Sequence, residues 1–182
     1  MADYSSYRTE IDPTDRQKKI LDKNFDACRK IFNLYLSRAM EQYDKTGKYE
    51  NVEEFVDWFY KIYMRSQKLS CGFPRGFNNV SIKKVCRNVN IIMDRYASRK
   101  IGRPRSKSEK YGRASLYFAN IKSRHEYISC ERHRIYAPGF GGIRLKEKGY
   151  IPFDNKRVRI VSGFISEHLG RYYISVNVDN RG

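Results

Sequence analysis

Apolar residues recur along this chain first at steps of three and four and later at steps of two, and the period changes near residue 110. Steps of three and four line one face of a helix, and steps of two line one face of a strand. Before the helical region, Tyr4 to Ile11 alternate in character and stop at Asp12-Pro13, which predicts a short opening strand. Thr14 and Gln17 then have the spacing of a capping box, in which each side chain can satisfy a free backbone N–H of a helix start. Leu21, Phe25, Cys28, Phe32, Tyr35 or Leu36, and Ala39 carry the apolar stripe of this first helix, which should end near Thr46-Gly47. A second stripe runs from Val52 through Phe55, Val56, Phe59, Ile62 and Tyr63, with Glu53, Glu54 and Asp57 in its first turn, where carboxylates suit the helix dipole. The Gly- and Pro-bearing segment from Ser70 to Gly76 interrupts it. Ile82, Val85, Val89, Ile92 or Met93, and Tyr96 define a third helix.

The remainder reads as strands near Leu116 to Ile121, Glu126 to Ser129, Arg134 to Tyr136, Ile143 to Lys146, Val158 to Ser162 and Tyr172 to Val178. In the last, Tyr172, Ile174, Val176 and Val178 should point one way and Tyr173, Ser175, Asn177 and Asp179 the other. The Gly139 to Gly142 stretch reads as a turn between strands. Short strands at close spacing predict an antiparallel small barrel or strongly curved sheet. The opening strand can complete it, so the helices become an insertion into a β-domain and the fold class is α+β.

Charge changes the picture from architecture to partner. The 182 residues carry 37 Lys+Arg against 20 Asp+Glu, with 15 Tyr and 10 Phe. Residues 1–98 hold 18 basic and 13 acidic side chains, and residues 99–182 hold 19 and 7. A solubilising coat would mix both signs; this bias points to a polyanion, bound through release of condensed counterions. The densest stretch runs from Arg99 to Arg113, with seven basic residues and one acid: Arg99, Lys100, Arg103, Arg105, Lys107, Lys110 and Arg113 are the candidate phosphate contacts. A solvated hinge and a localisation signal are the competing readings of such an arm. On the third helix, Lys84, Arg87 and Asn88 face outward beside Lys83 and Arg95 and are candidates to read duplex DNA in the major groove. Tyr117 and Tyr173, together with Phe118, Tyr136 and Tyr172, are candidates to stack on unpaired bases, each weighed against packing in the core.

Catalytic chemistry is hard to find. His125 and His133 form the closest histidine pair, with no third metal-ligand candidate at fixed spacing, so no metal and no cofactor are expected. P-loop and nucleophile-elbow patterns are absent. Cys28, Cys71, Cys86 and Cys130 are scattered singly, and Cys28 and Cys86 fall on apolar stripes, which predicts buried reduced thiols. No secretory signal or membrane-spanning run is read, so a cytoplasmic protein with no membrane partner is expected.

The opening strand, Pro13-Thr14-x-x-Gln17, Leu21 and the run Ala27-Cys28-Arg29-x-Ile31-Phe32-Asn33-x-Tyr35-Leu36 resemble the N-terminal region of the TnpB/OrfB proteins of insertion-sequence transposons, relatives of compact type V CRISPR effectors. Arg103-Pro104-Arg105-Ser106-Lys107 is similar to that family's Pro-Arg-Phe-Lys element, with Ser106 in place of the aromatic. Val158 to Ser162 and Gly170 to Val176 are similar to the strands that close its wedge domain. The resemblance implies that residues 1–12 and 111–182 form an OB-like wedge β-barrel and that residues 13–110 form an inserted helical bundle of about three helices. It further implies binding of a structured guide RNA and of duplex DNA beside a target. Cleavage in the family belongs to a following RuvC-like domain opening with Asp-x-Gly; Asp179 is followed by Asn-Arg-Gly and does not match. The chain as given is therefore expected to bind without cutting. A protein-interaction module, a guide-independent remnant and an independent metal-dependent nuclease are the rival readings.

Overall fold

The computed structural model describes residues 4–63, 79–108, 115–119, 128–152 and 159–180. The expectations placed on the Ser70 to Gly76 break, on Cys71, Lys110, Arg113, Ile121, His125, Glu126 and Val158 lie outside these residues. Two compact units divide the chain, one holding the described residues through Phe25 and from Ser115 on, the other those between.

The first unit is an antiparallel sheet of seven strands: β1 (Tyr4–Asp12), β2 (Ser115–Ala119), β3 (Ser129–Cys130), β4 (Arg134–Ala137), β5 (Gly141–Leu145), β6 (Arg159–His168) and β7 (Arg171–Asp179). Their order across the sheet is β2-β6-β7-β1-β5-β4-β3. The opening strand pairs with β7 from Tyr4↔Asp179 to Ile11↔Tyr172, and its last residues pair with β5 through Ile11↔Leu145 and Asp12↔Arg144. β1 thus joins the C-terminal hairpin to the β4–β5 hairpin, which makes it central. Ile11, Leu116, Phe118, Ile135, Ile143, Leu145, Ile165, Ile174, Val176 and Val178 are buried on the inner face, as the alternation requires. The closed barrel is not observed: β2 and β3 are the sheet's two ends and do not pair with each other, and β3 offers only two residues of ladder among the described residues.

Two departures from the sequence pattern have local causes. A bulge between Ile160 and Ser162 breaks the period of two, so β6 continues to His168, well past the Ser162 at which its pattern fades. Phe118, a stacking candidate, is buried instead, because Gly163 opposite it has no side chain: a Cβ there would lie 2.8 Å from the Phe118 ring and 2.7 Å from the Ser175 carbonyl.

The long helix α1 (Asp15–Thr46) begins in the first unit and from Asp26 on belongs to the second. Its capping box is formed as expected: the Thr14 N–H donates to Gln17 Oε1 at 3.0 Å and the Gln17 N–H to Thr14 Oγ1 at 3.3 Å. Gln17 then uses its amide nitrogen to reach the carbonyls of Phe140 and Gly142 at 3.0 and 3.1 Å, fixing the β4–β5 turn.

The second unit packs α1 against α2 (Val52–Trp58) and α3 (Asn79–Ala97). Leu36, Ala39, Phe55, Val56, Ile82, Cys86, Val89 and Met93 are buried, and both Tyr35 and Leu36 are core residues. Asn51 caps α2 with Glu54 in a second capping box. The helix does not run on to Tyr63 as an α-helix; Phe59–Tyr63 form a π-helical turn. The wider turn rotates the residues after it, so Phe59 stays buried while Ile62, expected on the apolar stripe, is 55% exposed. No helix among the described residues is long and apolar enough to cross a membrane.

Candidate nucleic-acid interface

One side of α3 carries Lys84, Arg87, Asn88, Ile91 and Arg95, spaced three and four apart and all exposed. Ile91 in the middle is 56% exposed. The side chains of Arg87, Asn88 and Arg95 have no hydrogen-bond or ion-pair partner among the described residues. Lys83, by contrast, is half-buried and paired with Glu53 at 2.5 Å, which removes it from this face. The stripe continues past the helix end. The Lys100 N–H donates to the Arg95 carbonyl at 2.8 Å and the Arg99 N–H to the Tyr96 carbonyl at 2.9 Å, a Schellman ending. That ending places Arg99 at φ 56°, the left-handed position usually given to glycine.

The basic arm is not a free strand of charge. Asn33 on α1 grips it by the backbone, donating to the Lys107 carbonyl at 2.9 Å and accepting the Lys107 N–H at 2.8 Å. Arg103 donates from both terminal nitrogens to Asp44, the shorter bond being 2.7 Å. The Lys107 ammonium lies 4.2 Å from the centre of the Phe32 ring, and burial pushes it below the ordinary lysine range. Of the seven predicted arm contacts, Arg99, Lys100 and Arg105 are exposed with no such partner among the described residues, Arg103 and Lys107 are engaged on α1, and Lys110 and Arg113 lie outside the described residues.

On the sheet, the outer residues fall into rows because directly paired residues of an antiparallel ladder share a face. Tyr117, Phe164, Ser175 and Arg8 form one row across β2, β6, β7 and β1. Ala119, Ser162, Asn177 and Ser6 form another, laced by Ser6 Oγ donating to Asn177 Oδ1 at 2.7 Å and Asn177 Nδ2 donating to Ser162 Oγ at 3.1 Å. In the next row beyond the first, where Tyr173 is opposite Glu10 and Ser166, the Tyr173 ring lies under the Arg8 guanidinium, 4.7 Å from ring centre to Cζ. Tyr172 sits on the opposite, core side, where burial followed by Asp22 and Glu167 raises its pKa. Sequence reasoning missed Phe164, 41% exposed, and Arg8. The bulge hid the first by breaking the alternation, and the second carries no local signal, since its partner ring is on a strand at the far end of the chain.

Residues 1–48, covering β1 and α1, match the family model of the OrfB helix-turn-helix domain (HTH_OrfB_IS605). The whole fold is similar to a solved Cas12f1 chain, from the cryo-EM structure of a Cas12f1-sgRNA-target DNA complex, with a TM-score of 0.55 and 8% identity. That likeness covers 99% of this chain and 59% of the Cas12f1 chain. The family-model match is confined to β1 and α1, and the likeness to the Cas12f1 chain is one of fold. Among curated proteins, no sequence matches.

The OrfB-like motif residues have physical work in this structure. From the run on α1, Cys28, Ile31, Phe32, Tyr35 and Leu36 build the core, and Asn33 is the grip on the arm. The Tyr35 hydroxyl donates to the Glu50 carbonyl at 2.6 Å. Glu50 in turn holds Arg38 by two bonds of 2.8 and 3.0 Å, with the Arg38 guanidinium 3.8 Å above the Trp58 ring. The Cys28 and Cys86 thiols are buried and burial pushes each up to about 12, so neither is a nucleophile at neutral pH. Among the described residues, no group of three or more His, Cys, Asp or Glu is placed to hold a metal ion.

Proposed function

We propose that the chain is the nucleic-acid-binding N-terminal region of a TnpB-like RNA-guided nuclease, which holds structured guide RNA and target-adjacent duplex DNA and does not itself cut. The observation that carries this reading is the α3 stripe: Arg87 and Arg95, whose side chains have no partner among the described residues, flank an exposed isoleucine on one helix side, and the stripe continues into Arg99 and Lys100. A helix of this kind fits a major groove, where cations meet phosphates and base edges and an apolar side chain meets a thymine methyl. The sheet's outer aromatics, with Arg8 over Tyr173, favour unpaired RNA bases, which stack on flat side chains. The guide RNA and the DNA target belong to the named complex of the Cas12f1 relative, and the shared fold supports extending them to this chain. A RuvC-like nuclease domain as partner follows from the same family reading.

The test is titration of labelled structured RNA and duplex DNA at two salt concentrations. We expect tight binding at low salt with a steep salt slope. Replacing Arg99, Lys100 and Arg105 together by Ser should lower the duplex slope by about 2.7, or about 0.9 for each phosphate neutralised. Absence of binding at low salt overturns the reading. In the same assay with Mg²⁺, cleavage above a protein-free control overturns the non-cutting part.

A further inference from the structure

The β4–β5 hairpin contains a concavity that neither the α3 stripe nor the aromatic rows include. It has a volume of about 370 Å³ and is lined by His133, Arg134, Arg144, Leu145 and Lys148. Arg134 and Arg144 are direct cross-strand partners in the β4–β5 ladder. Like charges placed opposite each other on a sheet repel and destabilise the pair, and here a lysine is added to them. The acids nearest in register and sequence do not offset this. Asp12 is opposite Arg144 on β1, and Glu131 and Glu147 flank the cluster, yet none forms an ion pair with it among the described residues. The lysine next in the turn, Lys146, does pair, with Glu10 at 3.4 Å, so counter-charges are available to this hairpin and the pocket does without them.

Next to the lining residue Arg134, the strand lacks a side chain. A Cβ on Gly142 would lie 2.9 Å from Tyr136 Cε1 and 3.3 Å from Arg134 Cδ, so the Tyr136 ring and the Arg134 stem lie across the bare strand at this point. Gln17 holds the Gly142 carbonyl from the helix start, which fixes this stretch of backbone. The result is a half-exposed aromatic ring beside a concentrated, uncompensated positive charge.

We infer that this concavity is an anion site for a backbone phosphate of nucleic acid, taken next to an unpaired nucleotide whose base lies against Tyr136. Two opposed guanidiniums can each present paired N–H donors to phosphate oxygens, a match that lysine alone does not provide. A bound phosphate supplies the negative charge that the ladder lacks, so the repulsion present in the free protein becomes attraction in the complex. The inference rests on the nucleic-acid reading above, and it assigns to that reading a site that no sequence motif marked.

The experiment reads stability and affinity together in the full chain. Arg134→Ser, Arg144→Ser and Gly142→Ala are compared with Lys48→Ser, which removes one exposed charge elsewhere. Thermal unfolding is measured in the absence of ligand, and binding with a labelled single-stranded RNA oligonucleotide. Either arginine replacement should leave the melting temperature unchanged or raise it, while weakening RNA binding by about tenfold or more, as expected for loss of charge-assisted bonds. Gly142→Ala keeps every charge but displaces Tyr136 and Arg134, and should also weaken RNA binding. Lys48→Ser should weaken it only slightly. If the arginine variants match Lys48→Ser in affinity, the site is not used and the inference fails, although the nucleic-acid reading stands. If no variant and no wild-type protein binds RNA, both fail. A third arm adds inorganic phosphate: a rise in melting temperature that disappears in Arg134→Ser, together with unchanged RNA affinity in that variant, marks a free-phosphate site and overturns the nucleic-acid assignment.

Discussion

Among the described residues, two that are not glycine hold left-handed backbone, and they answer to different demands. Leu169 has φ 52° and Gly170 φ 78° in the two-residue turn between His168 and Arg171, so both central positions are left-handed, as in a type I′ hairpin. Asparagine suits the first of these positions; a leucine there costs about 1 kcal/mol, and this one is 87% exposed, with almost no burial to offset it. Leu169→Asn should therefore raise the melting temperature by about 2–4 °C, and an unchanged or lower value in a thermal melt refutes the strain. Arg99 sits at φ 56° at the end of α3, where glycine would be relaxed. Arg99→Gly should give a similar gain in stability but weaken duplex DNA binding, whereas Leu169→Asn should leave binding alone. The contrast separates backbone strain kept for its charge from strain with no ligand attached.

At the level of elements, the long periodic segments are readable in the sequence and the irregular ones are not. The stripes of α1 and α3 and the alternation of β7 are properties of local spacing, so Leu21 to Ala39, Ile82 to Met93 and Ile174 to Val178 fall where the pattern puts them. A π-helical turn has no signature in spacing, which is why the pattern misplaces Ile62, and the bulge makes β6 read shorter than it is. The arm differs from both. Its charge is legible, but its grip on α1 depends on Asn33 meeting Lys107 across 74 residues of sequence, and no local pattern encodes such a pair. The two backbone bonds from Asn33 are worth about 1–3 kcal/mol together. Asn33→Ala should therefore release the segment and raise the rate of tryptic cleavage after Arg105 and Lys107 by about tenfold, with helix content by circular dichroism unchanged. Equal cleavage rates would mean that Asp44 and Phe32 hold the arm unaided.

For the molecule as a whole, the ruling quantity is a formal net charge of +17. Much of the acid is already engaged within the fold: Asp26, Asp44, Asp57, Glu10, Glu41, Glu50 and Glu53 each carry an ion pair with a nearby lysine or arginine. What remains is a surplus of cations on α3, the arm and the β4–β5 hairpin, where Arg87, Arg95, Arg99, Lys100, Arg105, Arg134 and Arg144 form no ion pair among the described residues. Such a surplus destabilises the compact state by self-repulsion, and salt screens it over a Debye length of about 10 Å at 0.1 M. The same salt competes with phosphates for the same side chains, so the two effects have opposite signs. Raising NaCl from about 20 to about 200 mM should raise the melting temperature of the free protein, because unfolding no longer relieves as much repulsion. With RNA present, the melting temperature should start higher at low salt and fall toward the free value, because bound RNA stabilises the folded state in proportion to its affinity and that affinity drops with each released counterion. The two curves should converge at high salt. A free protein whose melting temperature falls with salt would show that its ion pairs outweigh its repulsions, and RNA curves parallel to the free one would show that the surplus charge is not where the polyanion binds.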